Sequence, residues 1–325
     1  MIFKCDNCGG NVVFDPEIGK MHCPHCDGID SQKKVTGEQS MEKCINCGAP
    51  LTISDYTSAT RCEHCGSYIV FDERVEGQYR PHLLVPFTIS KKKAKEIMRE
   101  KFKKKTFAPA GFLSDHMLEK LSGIYVPFFL YDLNVQCNYW AEGFKKRTWV
   151  SGETEYTEVS TYDVHREMEA KFDKIPVDAS VAMDDSVMDL MEPYDYSAIA
   201  DFKEEYMSGF DSEIFSQTSE QLSPRAKKKA ESSANSMLEA SLCEYSSMRV
   251  RQKDVHTTET ETNYTLMPIW YCEYSYHGVK YQYYINGQTG KTVGKTPVSQ
   301  AKVFAYGMTV WSLLSIIFAL IKIIL

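Results

Sequence analysis

From Tyr131 to Tyr139 the chain alternates apolar and polar side chains with a period of two. Tyr131, Leu133, Val135, Cys137 and Tyr139 fall on one side, and Asp132, Asn134, Gln136 and Asn138 on the other. That pattern predicts a half-buried strand in an antiparallel sheet. Ile124-Tyr125-Val126-Pro127-Phe128-Phe129 leads into it, and residues 153–165, rich in Glu, Thr, Tyr and Val, read as its neighbour. A second run opens at Leu266-Met267-Pro268-Ile269-Trp270, after which Trp270, Cys272, Tyr274 and Tyr276 alternate with Tyr271, Glu273, Ser275 and His277. His277-Gly278 turns the chain into Val279, Tyr281 and Tyr283, and Asn286-Gly287 turns it again. Leu83-Leu84-Val85-Pro86-Phe87 reads as a short buried strand. Its Val-Pro-Phe recurs at 126–128 and is echoed at 267–270, which leaves a duplicated β unit open.

Helical spacing appears between these strands. From Ser90 to Lys105, Ala94, Ile97, Met98 and Phe102 form one stripe, and Lys91, Lys92, Lys93, Lys95, Arg99, Lys101, Lys103, Lys104 and Lys105 form the opposite face. A second helix is expected from its N-cap Ser114 to Gly123, with Met117, Leu118 and Leu121 inward. Helical segments are expected over 184–208, broken at Pro193 and ended at Gly209. A longer helix is expected from Ser223-Pro224 to about Tyr245. Cys137, Cys243 and Cys272 fit as small core or half-buried residues.

The other eight cysteines form a repeat. Cys5-x-x-Cys8 and Cys23-x-x-Cys26 recur, 39 residues on, as Cys44-x-x-Cys47 and Cys62-x-x-Cys65. Each Cys-x-x-Cys is a knuckle that aims two thiolates at one point, and two knuckles complete a tetrahedral site of four sulfurs. Gly9, Gly48 and Gly66 follow three of the knuckles where the turn needs positive φ, and Asp27-Gly28 takes that place at the fourth. Val12-Val13-Phe14 and Tyr68-Ile69-Val70-Phe71 supply ribbon strands. So small a unit has almost no core, so metal binding is expected to supply most of its folding energy. Zinc suits four thiolates in this geometry, which predicts two structural zinc ions. His22, His25 and His64 lie beside the knuckles, but four cysteines already close each site.

The C-terminal segment differs from everything before it. Val303 to Ile321 holds no charge, and 303–325 spans about 34 Å as a helix, enough to cross a bilayer. Lys322 near the far end can reach the opposite interface, and Lys291, Lys295 and Lys302 flank the near end. The positive-inside rule then leaves the body in the cytoplasm, where disulfides are disfavoured.

The net charge of −7 hides strong segregation: −5 over 1–79, +8 over 80–150, −15 over 151–220 and +5 beyond. The ribbons are acidic, which disfavours nucleic acid as their partner, since phosphate-tracking surfaces need clustered cations. Gly287-Gln288-Thr289-Gly290-Lys291-Thr292 looks like a phosphate loop, but position 285 is Ile where that pattern needs Gly. A hairpin turn accounts for it better. Helix capping and a solvated face account for Asp184, Asp185 and Asp189. No residue pattern nominates a catalytic group.

The chain resembles the bacterial membrane-anchored, TFIIB-type double-zinc-ribbon proteins of the YdjG kind, some of which carry a replication-restart (PriA-type) helicase label. The residues that carry the resemblance are both ribbons, Arg80 to Phe87, Gly123 to Phe128, Lys174 to Ser180, Met188 to Tyr196, and Asn286 to Lys291. The resemblance implies partners: an SPFH (flotillin-like) protein and a phage-shock-protein-A homologue in an envelope-stress response. The helicase label finds no support without a nucleotide-binding loop.

Together these readings give an α+β chain. They predict a zinc ribbon over 1–39, a second over 40–79, an α+β body over 80–300 and a transmembrane anchor over 301–325. The expected function is a non-enzymatic, single-pass scaffold that recruits proteins to the cytoplasmic face of the cell membrane. The alternative is a membrane-tethered binder of nucleic acid or transcription factors.

Overall fold

The computed structural model describes residues 1–37, 42–109, 112 and 114–324. The expected boundary between the ribbons, 39/40, lies outside the described residues. The first ribbon holds β1 (Ile2–Cys5), β2 (Val13–Asp15), β3 (Lys20–His22) and β4 (Gln32–Val35); β1 pairs antiparallel with β4 and β2 with β3. The second holds the antiparallel pair β5 (Thr57–Arg61) and β6 (Tyr68–Val70). After β7 (Leu83–Leu84) come α1 (Lys91–Lys103), α2 (Asp115–Glu119), β8 (Ser122–Ser151), β9 (Thr154–Asp178) and α3 (Asp185–Leu190). Then follow β10 (Ala200–Asp201), β11 (Asp211–Glu213), α4 (Ser219–Ser241), β12 (Ser247–Tyr276), β13 (Val279–Asn286), β14 (Thr292–Gly294) and α5 (Gln300–Ile324). The architecture is mixed α+β.

Two long strands form its spine. β8 and β12 run antiparallel from Phe144 opposite Ser247 to Ser122 opposite Tyr271. β9 covers the other edge of β8, from Ser151 opposite Thr154 to Phe128 opposite Asp178. At about 3.3 Å per residue, a strand of this length reaches about 100 Å. The outer part is therefore a three-stranded arm, and the body surrounds its base. There β7 adds to β12 at Leu266, and β11 adds to β8 at Tyr125, both in parallel. β5 of the second ribbon pairs with β11, so the ribbon is part of the body's sheet. The approaches at Pro127 and Pro268 are cross-strand neighbours of this ladder, with Pro127 opposite Leu266 and Pro268 opposite Tyr125.

The alternation read along 131–139 is the one observed. Its odd positions are buried beneath α4, whose inward stripe is Leu222, Ala226, Ala230, Ala234 and Leu238. The three alanines let the helix lie close to the sheet. At the base, Phe87 stacks on Phe210 at 4.0 Å and meets Trp270 edge-on at 5.2 Å. On α1, the Ser90 hydroxyl accepts from Lys93 N and caps the helix, and Ala94, Met98 and Phe102 are buried as expected.

Several expected boundaries move. α2 stops at Glu119, and Gly123 lies within β8, where a Cβ would come 2.6 Å from the Phe210 ring. Of the helix expected over 184–208 only α3 and short 3₁₀ turns form. Past Pro193 the backbone of Asp195 bonds the Gln288 side chain in both directions, at 2.7 and 2.9 Å, so it needs no helical partners. α4 starts one turn before Ser223-Pro224, because Thr218 and Gln221 form a capping box. Cys243 is exposed just beyond α4, where Leu242 takes the inward position. Asp184 caps α3 as expected, but Asp185 and Asp189 clamp Arg225 of α4 at 3.1 and 2.8 Å. The same guanidinium bonds Asp178, which burial raises to about 6 against the pull of Arg225.

Gly123→Ala should destabilise the full-length protein by about 1–3 kcal/mol, because the new methyl overlaps a packed ring. Gly37→Ala, which meets nothing within 4 Å, should be neutral. Urea unfolding in detergent micelles measures both.

Candidate metal centres and membrane helix

All four knuckles are built alike. The first cysteine's amide donates to the carbonyl five residues on: Cys5 to Gly10 at 2.8 Å, Cys23 to Gly28 at 2.9 Å, Cys44 to Ala49 at 2.8 Å and Cys62 to Ser67 at 2.8 Å. Its carbonyl accepts from the residue four on, which is Gly9, Asp27, Gly48 or Gly66. Those four residues have φ of +71°, +57°, +75° and +72°. The turn requires the left-handed region, and three of the four knuckles use glycine for it.

The eight predicted cysteines come together as the two predicted sets, Cys5, Cys8, Cys23 and Cys26, and Cys44, Cys47, Cys62 and Cys65. Sulfurs of different knuckles stand 3.6 Å apart in Cys5–Cys26 and Cys8–Cys23, 3.7 Å in Cys44–Cys65 and 3.8 Å in Cys47–Cys62. A tetrahedron with metal–sulfur bonds of about 2.3 Å has edges of about 3.8 Å. The spacing suits one ion per set and is far beyond a disulfide's. His25 and His64 are exposed beside the clusters, and His22 faces Asp27 at 3.3 Å. Among the described residues neither set includes a histidine.

Groups the sequence reading passed over support the sulfurs. Asn46 Nδ2 donates to Cys65 Sγ at 3.5 Å and to Ser67 Oγ at 3.0 Å. Ser67 Oγ donates onward to Asn11 Oδ1 at 3.0 Å, which also accepts from Lys4 Nζ at 2.7 Å. A polar chain thus joins the second site to the first ribbon. Burial opposes ionisation of Cys65, yet the Ser67 hydroxyl and the Asn46 amide bring its thiol down to about 5. Burial takes Cys44 up to about 12. The signal for Asn46 was present in the repeat, since Cys-x-Asn-Cys occurs at Asn7 and again 39 residues later.

The ribbons also have more core than their length implied. Phe3, Val12, Phe14 and Met21 join the main hydrophobic cluster, and Phe14 meets Tyr206 edge-on at 4.9 Å. Ile2 packs with Ile69 and Phe71 between the two ribbons. Apolar burial therefore shares with metal the work of folding them.

The whole sequence has a relative in Bacillus subtilis (strain 168), called uncharacterized protein YdjG. Identity is 38% over 315 residues, covering 94% of this chain and 92% of the relative. The chain belongs to the YdjG family. No protein-family model matches it, and no solved structure matches it. In this YdjG-family chain the third notable feature is α5. Within Gln300–Ile321 an 18-residue window has a mean hydropathy of 2.0 and none of it is buried, so the helix is long and apolar enough to cross a membrane. The Lys322 side chain lies outside the described residues.

Asn46→Ala should loosen metal at the second site about 10–100-fold, because outer partners orient the ligands. Chelator competition on the metal-loaded full-length protein measures the loss, and the first site should keep its metal.

Proposed function

We propose that the chain is a non-enzymatic scaffold, anchored by α5 in the cell membrane with its body in the cytoplasm, that recruits other proteins through zinc ribbons of the TFIIB type. The observation that carries this reading is the β5–β11–β8 connection, which ties a closed four-cysteine site to the sheet of the anchored body. A site with four cysteines has no open position for a substrate, so its ion holds shape. Zinc is the ion best suited to it. Ribbons fixed to an anchored body present rigid loops near the bilayer, where a second weak contact becomes effectively intramolecular. Lys291, Lys295 and Lys302 at the near end of α5 favour the cytoplasmic side for the body. The resemblance to double-ribbon proteins points to a flotillin-like partner and, through it, a phage-shock-protein-A homologue.

The nucleic-acid alternative loses ground on α1. Lys93, Lys95 and Arg99 pair with Glu96, Glu119 and Asp115, and Lys91 donates to the Glu119 carbonyl. Those contacts break the continuous basic face that phosphate tracking would use.

Elemental analysis of the full-length protein, purified without added metal, should give two equivalents of zinc. One equivalent, or mostly iron, rejects the paired zinc sites. A reporter fused after Leu325 should behave as non-cytosolic, and removal of 303–325 should release the protein from membranes. In cells, a fluorescent flotillin-like partner should gather in foci with the intact protein and disperse when either ribbon or α5 is removed. Foci that persist in every deletion refute recruitment.

A further inference from the structure

Lysines gather where the body passes into α5. Ser299 N donates to the Phe107 carbonyl at 2.8 Å, the Phe107 ring stands edge-on to Tyr306 at 5.4 Å, and Lys302 Nζ donates to the Ala108 carbonyl at 2.6 Å. These contacts fasten the loop after α1 to the first turns of α5. Residues 101–109 carry Lys101, Lys103, Lys104 and Lys105, residues 291–302 carry Lys291, Lys295 and Lys302, and neither stretch contains Asp or Glu. Lys101 and Lys291 are bonded to the carbonyls of Thr292 and Glu192. Burial, together with Lys105 and Lys291, lowers the pKa of Lys101, so the cations are close enough to repel one another. Asp184, at the start of α3, is a carboxylate that feels Lys295. Among the described residues Lys103, Lys104, Lys105 and Lys295 form no ion pair, whereas the other end of α1 is neutralised by Glu119 and Asp115.

A cavity of about 550 Å³ opens between Lys104, Lys105 and Lys295, with Phe107 and Val298 in its wall. Val298, Ala301 and Phe304 line an exposed apolar strip immediately beyond it. The four helical steps from Gln300 to Phe304 rise about 6 Å, comparable to the depth of a headgroup layer.

We infer that this lysine collar binds the headgroup of an anionic phospholipid, with the phosphate among Lys104, Lys105 and Lys295 and the acyl chains along Val298, Ala301 and Phe304. The inference rests on α5 spanning the membrane. Unneutralised cations at headgroup depth favour anions, and the adjoining apolar strip selects a phosphate that carries hydrocarbon over a free one.

Trp311, within α5, provides the reporter. The full-length protein is reconstituted in bilayers containing acyl-brominated phosphatidylglycerol or acyl-brominated phosphatidylcholine, and quenching by the two lipids is compared. Phosphatidylglycerol should be preferred, by up to about fivefold for each lysine at the surface. Exchanging Lys103, Lys104, Lys105 and Lys295 for Gln should bring quenching by the two lipids close to equal. Exchanging the same four for Arg should keep the preference. Equal quenching of the wild type by both lipids, or a preference unchanged in the Gln variant, overturns the collar while leaving the span intact. No quenching by either lipid, with extraction by carbonate, overturns the span itself. Excess inorganic phosphate that abolished the preference would assign the site to the free ion and refute the lipid.

Discussion

The antiparallel ladder between β8 and β12 pairs one edge of each of two thirty-residue strands over most of its length, and the sheet of the body is built outward from those two strands. β9 and β11 join β8, β7 and β13 join β12, and the second ribbon follows through β11 and β5. The side that leads into α5 follows through β13 and β14, which pack beneath α1. A register slip of one residue in the ladder would turn Tyr131, Leu133 and Val135 away from α4 and toward water. The buried stripe of α4 and the pleat of β8 therefore fix each other.

The metal sites have a second support in this arrangement. Each knuckle is closed by backbone bonds that need no metal, and the ribbons bury Ile2, Phe14 and Ile69 in shared clusters. Metal then has to overcome the repulsion and desolvation of four clustered thiolates more than it has to order the chain. The Asn46–Ser67–Asn11 chain makes the second site sensitive to the position of the first ribbon.

Much of this was legible where one physical signal dominated. The cysteine spacing gave the two ligand sets, and the alternation at 131–139 gave the buried face of β8. The uncharged run from Val303 gave α5, and His277-Gly278 gave a two-residue hairpin turn with φ of +50° and +78°. The signal failed where no face is buried. The first half of β12, from Ser247 to Asn263, carries charged and hydroxyl side chains on both sides, so no periodicity marks it. It is a strand because β8 supplies a full row of partners. Over 184–208 the sequence has helical composition, but Tyr194 and Met191 are drawn into a cluster with Met267 and Tyr284, and tertiary packing overrides local preference. The lysine face of α1 was legible as charge, but its two unlike ends were not, because the carboxylates of α2 and the lysines before α5 meet it only in the folded chain.

The uneven size of the sheet's joints has a mechanical consequence. Hydrogen bonds in an antiparallel ladder lie across the strands, so tension along the arm loads a long row of them in shear together. The joint that carries the second ribbon is short: Asp211 and Ser212 lie opposite Ile124 and Tyr125, and Ser212 and Glu213 lie opposite Ala59 and Thr57. Tension between the second ribbon and the body would concentrate on that seam. The ribbon would peel from the body as a unit closed by its own knuckle bonds while the arm kept its register.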